Sequence, residues 1–159
     1  MISTENAGTQ PTPARITVQR RVEWSDTDAA GHQHFTSVLR WAEQAEILLH
    51  ERLGIACVTV GKCPRVHVSV DFSRRLMPQQ IVDVDVAVAR VGRASVAYDF
   101  VVRLEGHVAA RGSVVATLVE PGAGAISWPE HARRALLAGG AVDGEHYVCV
   151  PARTESEPG

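Results

Sequence analysis

From Arg65 to Glu120 the chain alternates apolar and polar residues almost continuously, broken only by short stretches of turn chemistry. Val66, Val68, Val70 and Phe72 mark one run. Val82, Val84, Val86 and Val88 alternate with Asp83 and Asp85 in the next, and "RASVAYDFVVRLE" and "HVAARGSVVATLVE" complete the set. A period of two puts alternate side chains on one face of a strand. The breaks Met77-Pro78-Gln79, Val91-Gly92-Arg93 and Glu105-Gly106-His107 are short. Parallel crossovers need about a dozen residues or more, so these neighbours are expected to be antiparallel. A further strand is expected at "RITVQRRVEW", from Ile16, Val18 and, less regularly, Val22 and Trp24.

One helix precedes most of this β material. In "HFTSVLRWAEQAEILLHERLG" the residues Phe35, Val38, Leu39, Ala42, Ala45, Leu49 and Leu53 recur at steps of three and four, and Gly54 is the natural stop. The spacing predicts about five turns, ~28 Å long. Trp41, Ile47 and Leu48 widen the apolar stripe, so something must wrap around this helix. The expected architecture is α+β: a long central helix in a curved antiparallel sheet of about five strands. A small helix is expected at about residues 127–138, because Ser127-Trp-Pro-Glu130 has capping-box spacing with Pro just inside the start and Gly139-Gly140 follows. "HYVCVPA" reads as an edge strand. We expect one domain over residues 15–150, between a loose tail at 1–14 and a polar tail at 151–159.

Composition narrows the partners. The chain has 159 residues and a formal net charge of -2, which gives no reason to expect nucleic acid or an anionic membrane. No window approaches the ~18 consecutive apolar residues of a membrane span. The N-terminal stretch lacks the basic start and apolar core of a signal peptide. Cys57, Cys63 and Cys149 are widely spaced and form no Cys-x-x-Cys pair, so reduced thiols and a cytoplasmic location are expected.

The chemistry concentrates in "VEWSDTDAAGHQH", residues 22–34, where Asp26, Asp28, His32 and His34 surround Gly31 just before the helix. A carboxylate here can cap the helix, whose first N–H groups lack intrahelical partners, or face an electrophile held at that positive end. The four side chains are also ligand types suited to zinc or iron, although no distant His or Cys partner stands out. One capping residue is enough for a helix, and this loop carries more polar groups than that.

The segment "VEWSDTDAAGHQHFTSVLRWAEQAE" resembles the signature of the hotdog-fold acyl-CoA thioesterases of the 4-hydroxybenzoyl-CoA thioesterase type, in which an aromatic-x-Asp-x-Asp-x-x-Gly-His block opens the central helix. The likeness extends from about Ile16 to Glu120 and includes the Arg-x-Gly-Arg turn of "RRLMPQQIVDVDVAVARVGRASVAYDF". It implies hydrolysis of an acyl thioester carried by coenzyme A or a carrier protein, with Asp28 as general base or nucleophile. It implies an oxyanion donor at the helix start, the backbone N–H of Phe35 or its neighbour His34. His34 is a candidate for contact with substrate or leaving group. Gly31, His32 and Val38 fall on the expected substrate pocket. Where the family usually has Val-Asn-Asn and a Tyr four positions beyond the first Asn, this chain has Gln33-His34-Phe35 and Val38.

Coenzyme A brings phosphates, and the arginines able to meet them are Arg74, Arg75, Arg90 and Arg93. The resemblance implies no metal and no cofactor beyond the coenzyme A of the substrate, and a homodimer or homotetramer. Glu43 and Glu46, far along the helix, are expected to be structural or to lie at an interface. A hotdog hydratase or dehydratase, or a non-catalytic acyl-thioester-binding module, are the other readings.

Overall fold

The computed structural model describes residues 10–146. Its main sheet contains the five expected strands: β1 (Arg15–Arg21), β2 (Arg65–Phe72), β3 (Ile81–Val91), β4 (Ser95–Leu104) and β5 (His107–Thr117). A sixth, two-residue strand, β8 (Ala141–Val142), pairs parallel to β1, and the order across the sheet is β2-β5-β4-β3-β1-β8. All other neighbours in it are antiparallel. β6 (Val119–Glu120) and β7 (Gly124–Ala125) make a separate small hairpin. The run "HYVCVPA" falls almost entirely outside the described residues.

The alternation does what the period-two argument requires. Val84 lies opposite both Val18 and Val102, Val86 opposite both Ile16 and Phe100, and Val88 opposite Tyr98. All of these side chains are buried. The other face carries Asp83, Asp85 and Arg103, of which Asp85 and Arg103 form an ion pair. Phe100 is accommodated by Gly112 across the β4–β5 ladder. A Cβ at Gly112 would stand 2.7 Å from the Phe100 Cζ and 2.1 Å from the Ser69 carbonyl oxygen.

The main helix is shorter than the sequence suggests. α1 spans Ser37–Arg52, 16 residues or ~24 Å at 1.5 Å per residue, and not the expected run from His34 to Gly54. Thr36 is its N-cap, with its carbonyl accepting the Arg40 N–H, and the residues ahead of it are tied to other segments. Gln33 donates its N–H to the Leu76 carbonyl, and His34 donates to that of Asp26. Val38, Trp41, Ala42, Ala45, Leu48 and Leu49 bury one side of α1 in the common core. Burial is not all round, since Arg40, Glu43, Gln44, Ile47, Glu51 and Arg52 are exposed.

A one-turn helix, α2 (Ala56–Thr59), follows, and α3 (Glu130–Ala138) closes the fold. Its first helical residue is Glu130, and Pro129 sits at the N-cap instead of inside the start. The expected capping box is absent: Ser127 instead accepts a hydrogen bond from Arg93 through its Oγ at 3.1 Å. None of the described helices is long and apolar enough to cross a membrane.

Candidate functional site

The loop between β1 and α1 begins with a single turn of tight helix, Trp24–Asp26. Asp26 is buried and organises everything after it. Its Oδ2 accepts the Glu23 N–H at 2.9 Å, and Oδ1 pairs with Arg40 of α1 at 3.2 Å. Its carbonyl accepts the His34 N–H at 2.7 Å and the Ser37 hydroxyl at 2.7 Å. Asp26 is therefore the anchor that fastens the loop to the helix start. Charge-assisted bonds to a buried carboxylate contribute about 1.5–3 kcal/mol, so Asp26→Ala is expected to lower the unfolding free energy by about 2 kcal/mol. Urea unfolding checks this, and an unchanged midpoint would remove the anchoring role.

Asp28 is exposed. The fold does not bury it beside the apolar helix. Its Oδ1 accepts the Ala30 N–H at 2.8 Å, and its backbone closes the turn through bonds with His32 and Gly31. Gly31 sits at φ 81°, a conformation that costs other residues strain, and its neighbourhood is open. Asp28 lines a cleft of about 370 Å³ together with His32, Gln33, Phe35, Phe72, Arg74 and Arg75.

Phe35, just before α1, stacks on His34 with ring centroids 4.5 Å apart and is 63% exposed. Its N–H meets no acceptor among the described residues. His34 cannot serve as the backbone donor in the same way, because its N–H is committed to Asp26. His34 does not line that cleft, and its ring Nδ1 lies 2.7 Å from the Thr36 Oγ1 and accepts the Thr36 N–H. His32 lies in the cleft and holds its own loop, with Nδ1 3.3 Å from the Gln33 carbonyl.

Gln33 has no site role by its sequence position alone, yet it staples the cleft together. Its Oε1 accepts the Leu76 N–H at 2.7 Å, and its Nε2 donates to the Arg74 carbonyl at 3.3 Å. Val38, expected on the pocket wall, is fully buried in the core. The four arginines divide into two groups. Arg74 and Arg75 line the Asp28 cleft. Arg90 sits at the far end of β3, nine residues or ~30 Å of strand from Ile81, and Arg93 lies in the turn beyond it. Among the described residues no three His, Cys, Asp or Glu side chains converge as a metal site.

A second cleft, of about 200 Å³, lies along α1. Thr36, the residue after Phe35, begins it, and β2 lines both: Phe72 the first cleft, Val68 the second. Its walls are apolar, from Leu39, Ala42, Val68, Val86, Phe100 and Val114. At its end lie Glu46 and Arg65, joined at 2.8 Å. Burial raises the Glu46 carboxyl to about 7 against the lowering field of Arg65. Behind it His50 and Tyr98 share a 2.6 Å hydrogen bond. Burial lowers His50 to about 4 and pushes the Tyr98 hydroxyl well up.

The model of the thioesterase-like superfamily matches residues 22–136, which includes the whole Asp28 loop, α1 and β2 to β5. The 1,4-dihydroxy-2-naphthoyl-CoA hydrolase of Parasynechococcus marenigrum (strain WH8102) is 38% identical over 71 residues, covering 37% of this chain and 47% of the relative. The chain thus spans about half the length of that curated relative. Among solved structures, a thioesterase from Thermus thermophilus complexed with coenzyme A and Zn superposes with a TM-score of 0.70 at 28% identity, over 77% of this chain and 93% of that one. A 1,4-dihydroxy-2-naphthoyl-CoA thioesterase from Synechocystis superposes at 0.69 and 20% identity, over 77% and 95%, and shows the fold. With its signature loop and curved sheet, the chain has the hotdog fold of these neighbours and belongs to the thioesterase-like superfamily.

Proposed function

We propose that the protein hydrolyses an acyl-CoA thioester to the free acid and coenzyme A, with Asp28 and the Phe35 N–H acting together at the mouth of α1. The observation that carries this reading is that one cleft is lined both by the exposed Asp28 and by Phe35, whose backbone N–H meets no acceptor among the described residues. A thioester carbonyl placed at the Phe35 N–H is polarised by that donor and by the positive end of the helix dipole. Asp28 takes a proton from water as the water oxygen bonds to the carbonyl carbon. The carbon–sulfur bond then breaks, and the proton returns to the leaving thiolate. In the covalent variant of the same chemistry the carboxylate attacks the carbonyl itself, and water cleaves the resulting anhydride.

Arg74 and Arg75 are placed to meet the phosphates of coenzyme A, and the apolar cleft running on from Thr36 receives the acyl group. The two relatives named for 1,4-dihydroxy-2-naphthoyl-CoA act on an aryl thioester, which makes aryl-CoAs the first substrates to try. The outer edge of β2 is unpaired in the sheet and carries exposed Val66, Val68 and Phe72. A second copy pairing there would cover it and produce a dimer, which sedimentation measures directly.

The test is thiol release, read with a thiol-reactive dye, from aryl, short, branched and long acyl-CoAs and from an acyl-carrier protein. Turnover of at least one acyl-CoA is expected. Tight binding of all of them without release would replace the hydrolase by a binding module. Loss of enoyl absorbance without thiol release would replace it by a hydratase.

A further inference from the structure

We propose that two buried polar pairs, Glu46–Arg65 and His50–Tyr98, form the floor of the acyl slot and restrict hydrolysis to compact acyl groups. The inference rests on the reading of the apolar cleft as the acyl site. It is carried by which residues the clefts share. A third cleft, of about 280 Å³, lies beyond the apolar one and is lined by His50, Thr59, Cys63 and Pro64. Glu43, Glu46 and Arg65 line both. Tyr98 faces the apolar cleft and its partner His50 faces the polar one, so each pair has a member or an edge on either side. Nothing else is common to the two spaces.

The floor is held in place. The Arg65 guanidinium donates from Nη1 to the Cys63 carbonyl at 3.1 Å, pairs through Nη2 with Glu46 at 2.8 Å, and reaches Glu43 at 3.6 Å. The Glu46 side chain is only 6% exposed. An acyl chain that reaches this point has to stop or part the pair. Parting it leaves a buried carboxyl and a guanidinium without each other, and an alkyl group offers neither of them a replacement hydrogen bond. The space in front of the floor, about 200 Å³, is below the ~300 Å³ at which drug-sized ligands begin to fit.

Removing the Glu46 side chain should join the two clefts and admit longer chains. The experiment compares kcat/KM for straight-chain acyl-CoAs from acetyl to palmitoyl in wild type, Glu46→Ala, Arg65→Ala and Glu46→Gln. Binding of the matching non-hydrolysable alkyl-CoA thioethers is measured for each. Glu46→Ala and Arg65→Ala are each expected to raise the long-to-short ratio about tenfold or more, in rate and in affinity, the scale on which pocket size discriminates. Glu46→Gln fills the same space and is expected to keep the wild-type ratio. Ratios unchanged in both alanine variants, or shifted equally by glutamine, overturn the floor. Asp28→Asn separates the two ideas: chain-length ratios in thioether binding survive it if the floor is right. An Asp28→Asn enzyme that turns over like wild type sinks the catalytic reading and leaves the floor standing or falling on the binding series.

Discussion

Asp28→Asn is expected to lower kcat for acyl-CoA hydrolysis by roughly 10²–10⁴-fold, the range spanned by a positioned general base. The substitution is a narrow one. Asn keeps an Oδ1 that can accept the Ala30 N–H, so the turn through Gly31 has no reason to change. Because Asp28 is exposed, its replacement should alter stability by no more than about 0.5 kcal/mol. Affinity for coenzyme A should persist, since Arg74 and Arg75 are untouched. The informative pattern is therefore lost kcat with retained melting behaviour and retained ligand binding. A variant that keeps wild-type kcat would transfer the chemistry to another group in the cleft, with His32 the first to examine.

Labelled water identifies the covalent role of the carboxylate when the label appears in Asp28. In a single turnover, attack by water places the label in the acid product. Attack by Asp28, with the anhydride then opened by water at the Asp28 carbonyl, puts an oxygen of the protein in the product and the label in the side chain, whereas opening at the acyl carbon labels the acid as direct attack does.

The strands were legible because their information is local. Alternation in Val82–Val88 and the short Gly-bearing turns determine both the face and the antiparallel partner, and the register brings Val84 and Val86 where the pattern places them. The start of α1 was not legible in the same way. Phe35 and Val38 fit a helical period, but the chain from Gln33 to Thr36 is drawn out by bonds to Asp26 and Leu76, one of them 43 residues away in sequence. Asp26 and Asp28 look equivalent two positions apart. The resemblance singles out Asp28, and the fold turns Asp26 inward to Glu23 and Arg40 and Asp28 out into the cleft.

Glu46 and His50 did carry a signal. They lie four apart, and Glu46 is four residues after Ala42 and three before Leu49, both buried, so the apolar side of the helix contains them. Their partners Arg65 and Tyr98 come from β2 and β4, and no local pattern connects those strands to the helix.

The same pair gives the second large effect, a pH dependence that the wild-type protein conceals. Glu46 has its carboxyl raised from the usual 4.5 to about 7 by burial. The stabilisation this represents is fully present below pH 4.5 and is lost as pH rises through 7, about 3 kcal/mol in all. His50 has its imidazole lowered from 6.5 to about 4, by burial first and the Arg65 charge second. Its contribution has the opposite sense: present above pH 6.5 and lost as pH falls through 4, again about 3 kcal/mol. Cys63, which burial raises to about 11, and Tyr98, raised further from its ordinary value, stay protonated throughout this window. Between pH 4.5 and 6.5 the two slopes oppose each other, so wild-type stability should be nearly flat. His50→Gln is expected to expose the Glu46 slope, with the denaturant midpoint falling steadily from pH 4.5 to 7. Glu46→Gln should expose the His50 slope, with the midpoint rising from pH 4 to 6.5. The slopes, and not the absolute stabilities, are the readout, so any packing loss in either variant does not interfere. Profiles for both variants parallel to that of wild type would show that neither group titrates under the control of this buried cluster.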